Sequence, residues 1–365
     1  MRILWVPHCS WEKARTRDQY LIEKLRSKHE VHVLDWTQPM TDTIQEYIDP
    51  RLHLKGLIGK SRSGHGVCMH RLPRLQNNRF TPFFLSYNGK MFEKEVRRIV
   101  NRHEIDVVVT GPSSYLTGLP PEKLGVPMVF DHVDFVPDIR VREWYLKRSD
   151  AVMCVSHSLL EMSKLHNENS FYIPNAVNIE DIRRGKPEKV IEKHDLQDHL
   201  VIGLIGLSCN DDYYFIDSFR ILKKRLGNIK MLIVGQNHHL PGIKAKGRDI
   251  DDIIFTGWVD NVEDYFAATD VGIYPVAKTL YDDCRCPIKV LEFTAAKKPV
   301  VSASINEVRI WGFPNVLLSE AEPVQFAERI EEATRMPLRL PDLSEFEIGN
   351  VTERLDRILQ EVCKK

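Results

Sequence analysis

The sequence predicts two doubly wound α/β domains, and three observations carry that prediction. Short apolar runs alternate with amphipathic stretches along most of the chain, the pattern of parallel strands covered by helices. The alternation stops after Phe171–Ile173 and restarts at Val201. Between the two series lies 178–199, rich in Lys, Glu, Arg and Asp, with Gly185 and Pro187, which reads as a linker. The expected division is an N-terminal domain over 1–177, a linker over 178–199 and a C-terminal domain over 200–345, followed by an amphipathic helix over 346–365. A length of 365 residues is enough for two such domains, each with its own core.

In the first series the predicted strands are Arg2–Val6, Val31–Leu34, Val107–Thr110, Met128–Asp131, Val152–Val155 and Phe171–Ile173. Between the first two, Arg17–Ser27 places Tyr20, Leu21 and Leu25 on one helical face. In the second series VIGLIG, MLIVG, IIFTG, VGIYP and PVVSA are the strands, with a helix across Phe215–Leu226 after the first. Ligands of such sheets bind at the carboxyl ends of strands, so polar residues directly after strands have priority, and a cleft between two such domains is the expected place.

Composition excludes several classes of function. Fifty-one Lys and Arg balance 51 Asp and Glu, which argues against a duplex-DNA binder. No run approaches a membrane span, and MRILWVPHCSWEK lacks a signal-peptide core, so a soluble, unexported protein is expected. The seven cysteines make no CxxC pair and are read as reduced thiols of a cytosol. The fourteen histidines are scattered, and surface or internally satisfied roles are expected for them, without a metal.

The segment 51–92 has no acidic residue, while Arg51, Lys55, Lys60, Arg62, Arg71, Arg74, Arg79 and Lys90 accompany Phe80, Phe83, Phe84, Tyr87 and Phe92. Three readings stay open for it. One is contact with an anionic membrane surface, where basic and aromatic side chains combine. Single-stranded nucleic acid would use the same chemistry and is the weakest of the three. The last is an insertion whose rings pack on the first domain and whose charges are solvated.

The block 286–301, CPIKVLEFTAAKKPVV, is the most informative. Pro287 suits a helix start because it has no N–H to lose there, and the free N–H groups of Ile288 and its successors would face an anion. Lys289 and Glu292 lie three apart on the first turn, a cation for phosphates beside a carboxylate able to accept hydrogen bonds from a diol. Taken alone, the same pair is equally well a surface ion pair.

That block resembles the nucleotide-binding signature of the retaining glycosyltransferases of family four, which have the GT-B fold of two Rossmann-like domains facing a cleft. Other segments agree in order: KHEVHVL (28–34), FDHVD (130–134), SDAVMCVS (149–156), FYIPNAV (171–177), IIFTGWV (253–259) and VEDYFAATDVGIYPV (262–276). The resemblance implies that Glu292 holds the ribose and that Lys289, with the N–H groups after Pro287, stabilises the leaving diphosphate. Gly206 and Gly257, each closing a strand, would flank the nucleotide. His132 would reach the sugar, and Asp134, with Asp131 beside it, would handle the acceptor proton.

Departures from the family pattern stand beside these likenesses. Its second glutamate, eight residues before the helical one, is here Cys284, with Asp282 and Asp283 adjacent. The loop 206–215, GLSCNDDYYF, lacks the usual cations, and 7–17 replaces a glycine-rich turn, with Arg15 and Arg17 expected to be solvated. The Asp249–Asp252 string is expected to be solvated rather than metal-binding. The resemblance implies a metal-independent glycosyltransferase with no cofactor beyond a nucleotide-sugar co-substrate. Its acceptor would be a glycan or a lipid-linked glycan, in polysaccharide or glycolipid biosynthesis. The protein would be cytoplasmic, peripheral on the inner face of a membrane through 51–92, with no nucleic-acid partner. The alternative is a silent relative that binds sugar nucleotide or glycan.

Overall fold

The computed structural model describes residues 1–8, 11, 16–35, 62–64, 67–71, 82–111 and 124–364. Most of the basic stretch 51–92, with His53 and Arg15, therefore lies outside the described residues. The chain divides into two compact units, one of Met1–Pro174 with Ile348–Lys365, the other of Asn175–Glu347. No helix among the described residues is long and apolar enough to cross a membrane.

The first unit is built on an eight-stranded sheet in the order β3-β4-β2-β1-β5-β6-β7-β8. Its strands are β1 Arg2–Val6, β2 Glu30–Asp35, β3 Arg62–Gly64, β4 Val67–Arg71, β5 Val107–Thr110, β6 Met128–His132, β7 Ala151–Cys154 and β8 Ser170–Tyr172. All neighbours pair in parallel except β3 and β4. Strands β1, β5 and β7 are almost wholly apolar because helices cover both faces of a parallel sheet. Strands β3 and β4 add to the six expected; they fall inside the basic stretch, where VCMHR has too few apolar residues to signal a strand.

The two residues at the carboxyl end of β6 point to opposite faces, and each is covered by a helix. Asp131 is 3.4 Å from the Arg17 guanidinium at the start of the helix Arg17–Leu25. Burial raises the Asp131 pKa and Arg17 opposes that rise. His132 has no exposed surface, and its Nδ1 shares a hydrogen bond of 2.9 Å with Ser163 Oγ of the helix His157–Lys164. Burial, with Arg142 adding to it, pushes His132 down to about 3. The final helix, Ile348–Val362, belongs to this unit, and Asp356 anchors it to His29 Nε2 at 2.7 Å and to Lys28 at 3.6 Å.

The second unit has six parallel strands in the order β11-β10-β9-β12-β13-β14. They are β9 Leu200–Ile205, β10 Ile229–Val234, β11 Ile253–Gly257, β12 Val271–Tyr274, β13 Val300–Ala303 and β14 Val316–Ser319. The strand order reverses between β9 and β12, which makes that gap the topological switch point. The stretch 178–199 is not a linker. It forms the helices Ile179–Arg183 and Glu188–His194, and Ile182, Val190 and Leu196 enter the core of this unit. Its charges lie on the outer faces of two short helices, and the three apolar residues are too sparse to show a period.

The helix Ile288–Ala295 is seated by Phe293, which is fully buried, packs edge-on to Phe266 at 4.9 Å and lies on Gly272 of β12. A Cβ at Gly272 would come within 2.5 Å of the Phe293 ring, so only glycine lets this helix lie so close to the sheet. Gly272→Ala is therefore expected to destabilise the protein by about 1–3 kcal/mol through overpacking, read by urea unfolding. A second expectation concerns His132. Between about 3 and its ordinary 6.5 the unfolded chain binds a proton there that the folded chain does not. The stability this residue supplies is complete above 6.5 and is lost as pH falls, at up to about 1.4 kcal/mol per pH unit. His132→Gln should flatten the acid limb of the stability curve relative to wild type, measured by urea unfolding at successive pH values.

Candidate active site

At the switch point of the second unit, three adjacent strands end in glycine. Gly206, Gly235 and Gly257 have φ of +75°, +119° and +67°, values that L side chains rarely adopt. Backbone hydrogen bonds of 2.8 Å join them, Gly206 N–H to Val234 O and Gly235 N–H to Gly257 O. The result is a half-exposed backbone ledge without side chains, at the position where such sheets bind ligands. Gly235 ends MLIVG, the same strand-then-glycine signal as VIGLIG, and sequence reasoning passed over it.

The helix Ile288–Ala295 starts beside this ledge. Pro287, buried, occupies its N-cap, and the first N–H groups after it have no partner within the helix. Asn175 holds the preceding turn, its Nδ2 donating to Cys286 O at 2.7 Å. Half-buried Lys289 lies over Gly206, where a Cβ would meet Lys289 Cε at 2.8 Å, and its Nζ stands 5.6 Å above the centre of the Phe266 ring. The ammonium pairs with Glu292 Oε2 at 2.6 Å, and Glu292 is 8% exposed. Lys289, Glu292, Pro287, Ile288 and Gly206 thus meet at one place, and Gly257 closes the far edge of the ledge.

The loop 206–215 carries no cation of its own, yet one stands beside it. Arg285 hydrogen-bonds Tyr274, stacks on the Tyr281 ring at 4.7 Å, pairs with Asp282 at 3.2 Å, and its charge is felt at Cys209 and His239. Nothing in the sequence marks Arg285, because the turn that brings it there is tertiary. The neighbouring carboxylates are committed: Asp282 also accepts from Thr279 Oγ1 at 2.5 Å, and Asp283 accepts from Asn306 N–H at 2.8 Å. Cys284 is 1% exposed. The 249–252 carboxylates are not merely solvated, since Asp249 pairs with Arg220 at 2.6 Å and Asp252 with Lys223 at 2.8 Å.

In the first unit the strand order reverses between β1 and β5, and His8 follows β1 there. Gly111, just after β5, leaves room for it, because a Cβ would come within 2.8 Å of His8 Cβ. His8 Nδ1 lies 2.5 Å from Asp18 Oδ2, and Asp18 also accepts from Trp5 Nε1 at 2.9 Å and from His8 N–H at 3.2 Å. A buried carboxylate within ion-pair distance of a partly exposed imidazole is compatible with an acid–base pair. The two residues are ten apart with no motif between them, so the sequence offered no signal.

The remaining first-unit candidates are placed differently from expectation. Arg17 is not solvated: it is 8% exposed, and its guanidinium donates to Ile173 O at 2.8 Å and Pro174 O at 2.5 Å as well as pairing with Asp131. His132 is buried, its Nδ1 held by Ser163 of the helix His157–Lys164 and its Nε2 without a partner among the described residues. Asp134 is half-buried in the following turn and has no side-chain hydrogen bond or ion pair among the described residues. His132 and Asp134 belong to the first unit, and the Lys289 group to the second.

Comparison with known proteins agrees with this geometry. Residues 201–335 match the family described as glycosyl transferases group 1. No curated protein matches the sequence. Among solved structures, a glycosyltransferase from Rickettsia africae is 16% identical, covering 100% of this chain and 99% of its own, with a TM-score of 0.67. Alr3699/HepE of Anabaena, solved in complex with UDP and glucose, is 14% identical over 100% and 98%, with a TM-score of 0.66. A UDP-forming α,α-trehalose-phosphate synthase of Burkholderia xenovorans is 11% identical over 99% of both chains, with a TM-score of 0.68. The chain therefore has the GT-B fold, and residues 201–335 of its second unit match the model of the group 1 glycosyl transferases.

Proposed function

We propose that this protein transfers a sugar from a nucleotide-sugar donor, bound on the second unit, to a glycan or lipid-linked acceptor. The observation that carries this reading is the Lys289–Glu292 pair on the first turn of a helix, set against the glycine ledge at the switch point. Helix N–H groups and an ammonium suit a diphosphate, and a nearly buried carboxylate beside them suits the ribose hydroxyls. A donor that divides this pair re-pairs both partners, the ammonium with the diphosphate and the carboxylate with the ribose hydroxyls, so neither charge is left buried alone. As the glycosidic bond breaks, the departing diphosphate gains charge, and Lys289 is positioned to stabilise it, with Arg285 as a second cation nearby. The neighbour solved with UDP makes a uridine donor the first to try.

The proposed reaction needs no metal. In the 249–252 string Asp249 is paired with Arg220 and Asp252 with Lys223, and the diphosphate charge would be met by side-chain cations. On the acceptor side, His8 is a stronger candidate than Asp134 for taking the hydroxyl proton, since its partly exposed ring lies beside the buried Asp18 carboxylate at the carboxyl end of β1. A cytoplasmic, membrane-peripheral setting with an acceptor in polysaccharide or glycolipid synthesis rests on the basic and aromatic residues of 51–92 alone.

One observation favours a second reading, a subunit that binds donor without turnover. Cys284 stands where the family has a glutamate, and both adjacent aspartates are used in holding the loop. Transfer and hydrolysis across a panel of nucleotide sugars separates the two. Wild type should turn over at least one donor, and Glu292→Ala and Lys289→Ala should each lower kcat/KM by about 10²–10³-fold. Donor binding with no turnover across the panel would establish the binding subunit; no binding, with variants identical to wild type, would end both readings. His8→Gln should lower kcat by about 10²–10⁴-fold while the dissociation constant for the donor stays unchanged, measured by steady-state kinetics and calorimetry.

A further inference from the structure

The first unit holds a second cluster of chemistry-bearing side chains, remote in sequence from the residues above. Strands β2 and β4 pair in parallel with His32 opposite Cys68. Side chains alternate along a strand, so Glu30 and His32 share one face with Cys68 and His70. The helix Pro82–His103 supplies His103 from its last turn. The three imidazoles pack together, with ring centres 4.5 Å apart for His32 and His103 and 5.2 Å for the other two pairs. His32 is 0% exposed and His70 4%, whereas His103 is half-buried and gives access from solvent.

The nitrogens converge. One from each ring lies within 4.8 Å of the others. His32 Nδ1 and His70 Nε2 are 2.9 Å apart, and His32 Nε2 is 2.9 Å from Glu30 Oε1. If that carboxylate takes the Nε2 proton, Nδ1 keeps its lone pair, the carboxylate–histidine arrangement that orients metal ligands. His70 Nδ1 is buried without a partner among the described residues. A tetrahedral ion with nitrogens at about 2.0–2.1 Å separates them by about 3.3–3.4 Å, so ring rotations of about an ångström close the site. Two of the rings, His32 and His70, stack and His103 tilts against both, and an ion would be met by one nitrogen from each.

We propose that His32, His70 and His103 form a binding site for a divalent transition-metal ion of the zinc class, with Glu30 orienting His32. The chemistry is that of neutral nitrogen donors, which suit zinc and its neighbours rather than magnesium or calcium. The site ties β2, β4 and the helix that covers them together, at residues distinct from those proposed for sugar transfer, and it does not depend on that reading.

Metal-stripped full-length chain titrated with Zn²⁺ against a chromophoric chelator tests this. Wild type should bind one equivalent, and elemental analysis after gel filtration should find the same stoichiometry. His70→Ala and His103→Ala should each weaken binding by more than about 100-fold, and Glu30→Gln by about 10–100-fold. Zn²⁺ should raise the melting temperature of wild type but not of His103→Ala, whose half-exposed position at a helix end keeps the fold intact by circular dichroism. Absence of saturable binding, or binding that survives both histidine substitutions unchanged, would overturn the site.

Discussion

The second unit depends on one constraint: at its switch point the backbone must come to the surface without side chains. Gly206, Gly235 and Gly257 meet it together, through positive φ values and the hydrogen bonds that join their turns. At Gly206 the Lys289 side chain also lies over the place a Cβ would take. The helix Ile288–Ala295 can then lie against the sheet, with Phe293 on Gly272, and bring its N-terminus to the ledge. Burial of Phe293 contributes roughly 1.5–3 kcal/mol, enough to fix a helix of two turns that would not hold alone. The same packing fixes Lys289 and Glu292, so the chemistry of the site is set by glycines that do no chemistry.

The first unit solves a different problem, that of holding charge inside a parallel sheet. Arg17, Asp18 and Asp131 all lie below one-tenth exposure, near the carboxyl ends of β1 and β6. Arg17 and Asp18 are each met by several partners, as buried charge requires, while Asp131 is met, among the described residues, by Arg17 alone. The carbonyls of Ile173 and Pro174 complete the guanidinium, and Trp5 and His8 complete the Asp18 carboxylate. Such groups are expensive to bury and are kept where function or specificity needs them.

How far the sequence revealed this follows from what each feature depends on. The strand–helix alternation, the two sheets and the helix at Pro287 depend on local patterning, and they were legible. So was the Lys289–Glu292 pair, because a spacing of three fixes a shared helical face. Strands β3 and β4 were not, since basic residues hide their period, and 178–199 was misread because its charges outnumber the three residues it buries. His8 with Asp18, Arg285 beside the 206–215 loop, and the three clustered histidines depend on contacts between elements remote in sequence. The burial of His132 has the same origin: its place after a strand is a matter of sequence, but its enclosure by Ser163 and the covering helix is not.

The central claim is that a nucleoside diphosphate binds where the glycine ledge meets the Pro287 helix start. Amide hydrogen exchange of the full chain with and without saturating UDP tests it most directly. Slowed exchange at 206–208 and 288–290, abolished by Lys289→Ala, is the predicted result. Unchanged exchange in both segments at saturating UDP, or protection confined to other parts of the chain, would contradict the account.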